Sequence, residues 1–95
     1  MKELWSCLTN DMNRCYFTGS SIVERHHVFP AANRTKCEKY GFVVPLRPDL
    51  HPNGVHAGPR AKEIDKILKE RCQEYYEAHY GTREDFRKEF GKSYL

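Results

Sequence analysis

The 95-residue sequence contains no apolar run that approaches the roughly 18 residues of a membrane-spanning helix. Its N-terminal stretch, MKELWSCLTNDMNRC, lacks the apolar central segment of a secretory signal. No Ser-, Gln- or Gly-rich tract interrupts the chain, and no internal repeat or linker-like stretch divides it. We therefore expect a single globular domain, residues 1–95, that has no membrane partner and is located in the cytoplasm.

The composition is that of a globular chain with a weak positive charge. Hydrophobic residues make up 39% of the sequence and aromatic residues 13%, which is enough for the modest core of one small domain. Sixteen Lys and Arg residues against thirteen Asp and Glu residues give a net charge of +3. A charge of this size permits a polyanionic partner but does not by itself indicate one.

The first half of the chain shows the signals of short strands. Residues 15–17 (CYF) predict a strand that turns at Thr-Gly-Ser-Ser and pairs with a second strand within residues 22–29. FVVPL, residues 42–46, predicts a further apolar strand, in which Pro45 indicates an edge position or the strand's end. Residues 47–58, rich in Pro and Gly, predict a loop.

The second half of the chain changes to helical spacing at Pro59, which suits the first helical position because its missing N–H would be unpaired there. Apolar, aromatic and histidine side chains then recur at three- and four-residue steps on one face of a long helix: Ile64, Ile67, Leu68, Cys72, Tyr75, Tyr76 and His79. Thr82, with Asp85 three positions on, predicts a shorter helix that ends at Gly91. The whole predicts an α+β domain with a ββα core over about residues 15–79.

Four of the five histidines lie between positions 26 and 56, as the doublet His26-His27 and then His51 and His56. Neutral imidazole binds transition metals and can take up a proton near pH 7. A doublet in a strand sends one ring to each face, so at least one ring is buried and needs a partner. A single histidine is more often a structural or surface group, but the four together favour a functional site.

The arrangement of HHVF, then NR, then LRPDLHPNGVH before a long helix resembles the HNH endonucleases of the His-Me finger (ββα-metal) group. It is most similar to small HNH proteins of phages and prophages, down to the closing FGKSYL, and the resemblance covers about residues 14–95. It implies a ββα-metal core with a short β-hairpin, a long helix and a short C-terminal helix. It also implies a metal-dependent endonuclease that hydrolyses phosphodiester bonds in DNA, in the cytoplasm of a bacterial host cell.

The resemblance also implies a role for each histidine. His26 would bind one divalent metal ion and His27 would act as the general base. His51 matches the third motif position and would be a second metal ligand, with His56 as an additional one. The metal would be Mg, Mn, Ni or Zn, since imidazole favours transition metals while the cell's supply decides among them.

The loop after the doublet contains two further candidates. Arg34 is a candidate catalytic and substrate-binding residue that would hold a phosphate oxygen by two parallel hydrogen bonds; the alternative is a solvated loop arginine. Asn33 is a candidate substrate-binding residue, which either fixes this loop or matches the asparagine of the family name. Asn53 is a weaker candidate, because a Pro-Asn-Gly turn is the better explanation for it.

The spacing of the later histidines departs from a regular helix. His51 and His56 are five residues apart, so a continuous helix would separate them by about 140°. They cannot both be ligands on one regular helix. Pro52 and Gly54 lie between them, however, and a loop with these residues could bring the two rings together.

The cysteines do not match the structural zinc site, built from two Cys-x-x-Cys pairs, that many HNH domains carry. The corresponding positions are Cys15 and Thr18, then Arg47 and Leu50, so three of the four ligands are missing and we predict no such zinc site. Because nothing else indicates secretion, we expect reduced thiols or metal ligands rather than disulfides. Cys72, on the apolar face of the long helix, is predicted to lie in the core.

Two other hypotheses remain open from the sequence. One is a non-catalytic nucleic-acid- or protein-binding module on the same scaffold, in which a metal only holds the fold. The other is a structural phage protein, or an inhibitor of a host system, in which the histidines fill a polar core. A homodimer, or a complex with a phage or host protein, is compatible with each hypothesis.

Overall fold

The computed structural model describes residues 4–29, 31–52 and 54–95. Within these residues the chain is an α+β domain, with one two-stranded antiparallel sheet and three α-helices. The elements are β1 (Glu24–His27), α1 (Arg34–Tyr40), β2 (Val43–Leu46), α2 (Ala61–His79) and α3 (Arg83–Phe90). Two short 3₁₀ helices, Ala31–Asn33 and Pro48–Leu50, precede α1 and follow β2.

The sheet pairs β1 with β2, and His26 lies opposite Val44 and His27 opposite Val43. The predicted hairpin between residues 15–17 and 22–29 is therefore wrong. Residues 15–17 lead into a turn, closed by the hydrogen bond from the Gly19 N–H to the Cys15 carbonyl (2.9 Å). All four residues of β2 are buried.

Pro45 lies inside β2, opposite Arg25, rather than at its end. Proline is tolerated here because each strand of a two-stranded sheet has a free edge, so the missing N–H breaks no ladder between central strands. The Pro45 carbonyl accepts a hydrogen bond from the Tyr16 N–H (3.0 Å). The turn that replaces the predicted first strand thus covers part of this edge of β2.

The helix α1 lies in the stretch between the strands that the sequence pattern leaves without structure. Cys37 and Tyr40, three residues apart, are its buried side chains, and two such positions are too few to reveal helical spacing. Gly41 ends the helix with φ +76°, in the left-handed region that favours glycine. A Cβ at Gly41 would also lie 2.6 Å from the Trp5 ring, so the indole packs directly on this turn.

The predicted long helix and short C-terminal helix are confirmed as α2 and α3. α2 begins at Ala61 with Arg60 at its N-cap, so the prediction that Pro59 occupies the first helical position is wrong. Thr82 caps α3: its hydroxyl accepts the Asp85 N–H (3.1 Å), and the Asp85 carboxylate accepts the Thr82 N–H (2.9 Å). Gly91 ends α3 with φ +95°. Among the described helices, none combines the length and apolar character needed to cross a membrane.

The core joins the sheet to all three helices. Its buried members include Val28, Phe29, Cys37, Phe42, Val43, Val44, Leu46, Leu68, Cys72, Phe86 and Phe90, which confirms the core position of Cys72. At one side the Glu89 carboxylate accepts the hydroxyls of Tyr40 (2.8 Å) and Tyr76 (2.7 Å). Burial, together with this carboxylate, raises the pKa of Tyr40 to about 12, and the hydrogen bond from its hydroxyl links α1 to α3.

Candidate metal and catalytic site

The strand β1 separates the two histidines of the doublet. Side chains alternate along a strand, so Glu24 and His26 share one face of β1 and His27 lies on the other. His26 is buried, with 3% of its surface exposed, while the His27 side chain is 11% exposed. Each ring has a carboxylate in reach on its own side: Asp65 for His26 and Glu38 for His27.

His51 lies beside His26, although the two residues are far apart in the sequence. Their ring centroids are 4.9 Å apart, at an interplanar angle of 66°. His51 follows the 3₁₀ turn after β2, and its carbonyl accepts the Gly54 N–H (3.0 Å). A Cβ at Gly54 would lie 3.1 Å from His51 Nδ1, so the loop packs tightly against the ring and holds it toward β1.

The Glu24 carboxylate fixes the orientation of the His51 ring. Its Oε1 lies 2.5 Å from His51 Nδ1. Since an ionised carboxylate can only accept hydrogen bonds, Nδ1 carries the proton and Nε2 keeps its lone pair. Metal-binding histidines usually donate their other ring N–H to a carboxylate in this way. Glu24 and His51 therefore have the arrangement of a metal-binding imidazole with its supporting carboxylate.

His26 presents a buried nitrogen that the surrounding protein does not satisfy. Within the described residues, His26 Nε2 has no hydrogen-bond partner. Burial of the ring lowers the pKa of His26 to about 3, and the nearby His51, Lys69 and His27 oppose its positive charge further. The imidazole is therefore neutral near pH 7. A buried polar atom without a partner is costly, and a metal ion is one of the ligands that would satisfy it.

Asp65, on the first turns of α2, is the carboxylate nearest this nitrogen. Its Oδ1 lies 4.0 Å from His26 Nε2, and its Oδ2 accepts a hydrogen bond from Lys69 Nζ (2.8 Å). Asp65 also lines a cleft of about 290 Å³, together with Pro52, Gly58, Ala61 and Lys62. Asp65 thus connects this cleft to the buried ring of His26.

The donor set suits a divalent transition metal in its chemistry: two imidazole nitrogens and one carboxylate. Ligand bonds of about 2.1 Å at a tetrahedral angle place donor atoms roughly 3.4 Å apart, so the 4.0 Å between His26 and Asp65 is somewhat too wide. Across residues 4–29, 31–52 and 54–95, no three His, Cys, Asp or Glu side chains are arranged to hold an ion as they stand.

On the other face of β1, His27 forms a pair with α1. His27 Nε2 lies 3.0 Å from Glu38 Oε2. Arg34, the first residue of α1, places its Nε 3.9 Å from the same oxygen. The Arg34 side chain is 69% exposed, so it is free to contact an anion in solution. The candidate base and the candidate phosphate ligand therefore meet at one carboxylate.

The remaining candidates are more dispersed. His56 is exposed on the loop before α2, and the structure does not bring it to the pair formed by His26 and His51 within the described residues. Asn33 occupies the N-cap position of α1 without a capping hydrogen bond from its side chain. Asn53 lies outside the described residues. Each of the four cysteines is a free thiol.

Sequence reasoning missed three acidic residues at the site: Glu24, Glu38 and Asp65. Glu24 carried a usable signal, because it stands two positions before His26 and a strand places both on one face. Asp65 carried a weaker signal: it is an acidic residue on the first turns of the helix that follows the histidine loop. Glu38 had none, since α1 itself was not apparent from the sequence.

Comparisons with known proteins returned no match: no protein-family model matches the chain, and neither a curated protein nor a solved structure does. Functional inference therefore depends on the residues and their geometry.

Proposed function

We propose that this protein is a metal-dependent endonuclease that hydrolyses phosphodiester bonds in DNA. The observation that carries the proposal is the buried, unpartnered Nε2 of His26, next to the ring of His51 and facing the carboxylate of Asp65. The order of β1, β2 and α2 around this point is compatible with a ββα-metal core, which we propose as the finer description of the fold.

The roles divide between the two faces of β1. His26 and His51 would hold one divalent ion, with Asp65 as the third ligand and His56 as an additional one if its loop closes. Such an ion supplies positive charge that stabilises the negative charge growing on the phosphate and the leaving oxygen. Mg, Mn, Ni and Zn all remain candidates, and the two imidazoles favour the transition metals.

The reaction itself uses His27 as the general base. The neutral ring accepts a proton from water as the water oxygen forms a bond to phosphorus. The bond between phosphorus and the leaving sugar oxygen breaks, and that oxygen keeps the electron pair and takes a proton from solvent. Arg34, exposed at the start of α1, binds a phosphate oxygen and orients the backbone.

The proposal is tested by nicking of supercoiled plasmid across a panel of Mg²⁺, Mn²⁺, Ni²⁺ and Zn²⁺, with EDTA as the blank. We expect the wild-type chain to convert plasmid to the nicked form with at least one of these ions. The His26→Ala variant should lose this activity, because it removes the nitrogen that the protein leaves unsatisfied. His79→Ala, which changes an exposed histidine at the far end of α2, is the matched control.

Nicking by the wild type and by His79→Ala, together with its loss in His26→Ala, would support the proposal. The absence of metal-dependent nicking by the wild type under every condition of the panel would contradict it. Equal nicking by His26→Ala and the wild type would show that any cleavage arises elsewhere.

The ion pair of Lys69 with Asp65 favours one second candidate, a non-catalytic nucleic-acid- or protein-binding module. Lys69 occupies one oxygen of the carboxylate that faces His26, and so it places a positive charge where a catalytic ion would stand. This candidate predicts DNA or protein binding without nicking, and binding that is unaffected by His27→Ala.

A further inference from the structure

We infer that Glu38 is the positioning residue of the general base His27. This inference rests on the proposed endonuclease function, since it assigns a role within the same site. The contact that carries it is the 3.0 Å hydrogen bond between His27 Nε2 and Glu38 Oε2. Glu38 lies on α1, the helix between the two strands, and acts on the substrate only through His27.

The contact selects one tautomer of the His27 ring. An ionised carboxylate has no proton to donate, so the ring nitrogen that meets it must carry the hydrogen. Nε2 is therefore the N–H of the neutral ring, and Nδ1 has the lone pair that takes the proton from water. The wrong tautomer, with the proton on Nδ1, could not act as a base at that nitrogen.

The position of Glu38 is fixed by contacts on both sides of α1. The Cys37 thiol donates to the Phe29 carbonyl (3.1 Å) and accepts the Phe29 N–H (3.3 Å), which ties α1 to the chain directly after β1. The Trp5 indole N–H donates to the backbone carbonyl of Glu38 (3.1 Å). These bonds set the rotation of α1 about its axis, and this rotation places Glu38 against His27.

The same carboxylate also lies near Arg34, one helical turn earlier. Arg34 Nε is 3.9 Å from Glu38 Oε2, at the i, i+4 spacing at which side chains of a helix meet. The Glu38 side chain is 32% exposed, and exposed pairs of this kind contribute little to stability. The 3.9 Å approach of Arg34 is therefore a weak contact, and the hydrogen bond to His27 is the contact through which Glu38 acts.

The test compares Glu38→Ala and Glu38→Gln with the wild type by two measurements. The first is the ring ¹⁵N chemical shifts of His27 at pH 8 in metal-free protein, which report the tautomer without metal or substrate. The second is kcat and KM for plasmid nicking with the most active metal. Glu84→Gln is the matched control, because it removes an exposed carboxylate on α3 that is paired with Arg87 (3.8 Å).

We expect the wild type and Glu84→Gln to show His27 with the proton on Nε2. In Glu38→Ala the fraction of His27 with the proton on Nε2 should fall toward that of a histidine without a partner, and kcat should fall at least about tenfold with little change in KM, as part of the effect of a general base. Glu38→Gln should recover part of the Nε2–H preference of His27 and part of kcat, because its amide oxygen can still accept the Nε2–H.

Two results would overturn the inference. One is a nicking wild type whose kcat and His27 tautomer are unchanged in Glu38→Ala. The other is a wild type in which the proton is on Nδ1. If the wild type does not nick DNA with any metal, the proposed function fails and the catalytic role of Glu38 fails with it. The tautomer measurement then still decides separately whether Glu38 orients the His27 ring.

Discussion

Replacement of His27 with alanine is expected to lower the rate of metal-dependent plasmid nicking by about 10²- to 10⁴-fold, the usual contribution of a general base. The reason is that His27 supplies the only proton acceptor assigned to the attacking water, while His26 and His51 are assigned to the metal. Binding of the metal ion should therefore persist in the His27→Ala variant. The measurement is the initial nicking rate under single-turnover conditions, with the metal found most active for the wild type.

The fold should tolerate this change, which separates a catalytic role from a structural one. The His27 side chain is 11% exposed and its hydrogen bond goes to the partly exposed Glu38 carboxylate, so we expect the melting temperature to fall, by about 4–8 °C for each kcal/mol of stability lost, while the variant remains folded at the assay temperature. His79→Ala serves again as the exposed-histidine control. A His27→Ala variant that remains folded, binds metal and nicks DNA at the wild-type rate would remove His27 from the mechanism.

Acidification is expected to destabilise the metal-free protein through His26. Burial lowers the pKa of His26 to about 3 in the folded chain, whereas a histidine in an unfolded chain has a pKa of about 6.5. Between these values the unfolded chain binds the proton more tightly, so the free energy of unfolding falls as the pH falls from about 6.5 toward 3. The loss of unfolding free energy that His26 causes is small above pH 6.5 and reaches about 3 kcal/mol at pH 4.

Carboxylates also titrate in this range, so the contribution of His26 is isolated by comparison with His26→Gln. Urea unfolding in EDTA, measured at half-unit steps from pH 4 to pH 8, should give a smaller loss of stability at low pH for His26→Gln than for the wild type. The His79→Gln control should follow the wild type. Parallel curves for the wild type and His26→Gln would contradict the burial of a neutral imidazole at this position.

The helices α2 and α3 were predictable from the sequence because each carries its signal locally, whereas α1, with only two buried positions, was not. The apolar residues of α2 recur over several turns, and the capping box of α3, between Thr82 and Asp85, needs only four residues. The pairing of β1 was not predictable. Strands of four residues contain too little pattern to choose a partner, and the adjacent CYF segment was the nearest apolar choice.

The site was predictable only in part, for a similar reason. The resemblance to HNH endonucleases assigned His26 and His51 to one ion, and the structure places their rings 4.9 Å apart. The resemblance also assigned His56 to this ion, but His56 lies on an exposed loop. The carboxylates that lie near the rings come from three different elements, β1, α1 and α2. Only the tertiary fold brings Glu38 to His27 and Asp65 to His26.

The most direct test of the central claim is crystallographic: anomalous diffraction from crystals of the protein grown with Mn²⁺ or Zn²⁺. We predict one ion per chain, bonded to His26 Nε2 and His51 at about 2.0–2.2 Å, with the Asp65 carboxylate rotated away from Lys69 toward it. An anomalous peak at another position, or a His26 ring that remains without a ligand in crystals of protein that nicks DNA with that metal, would contradict the account.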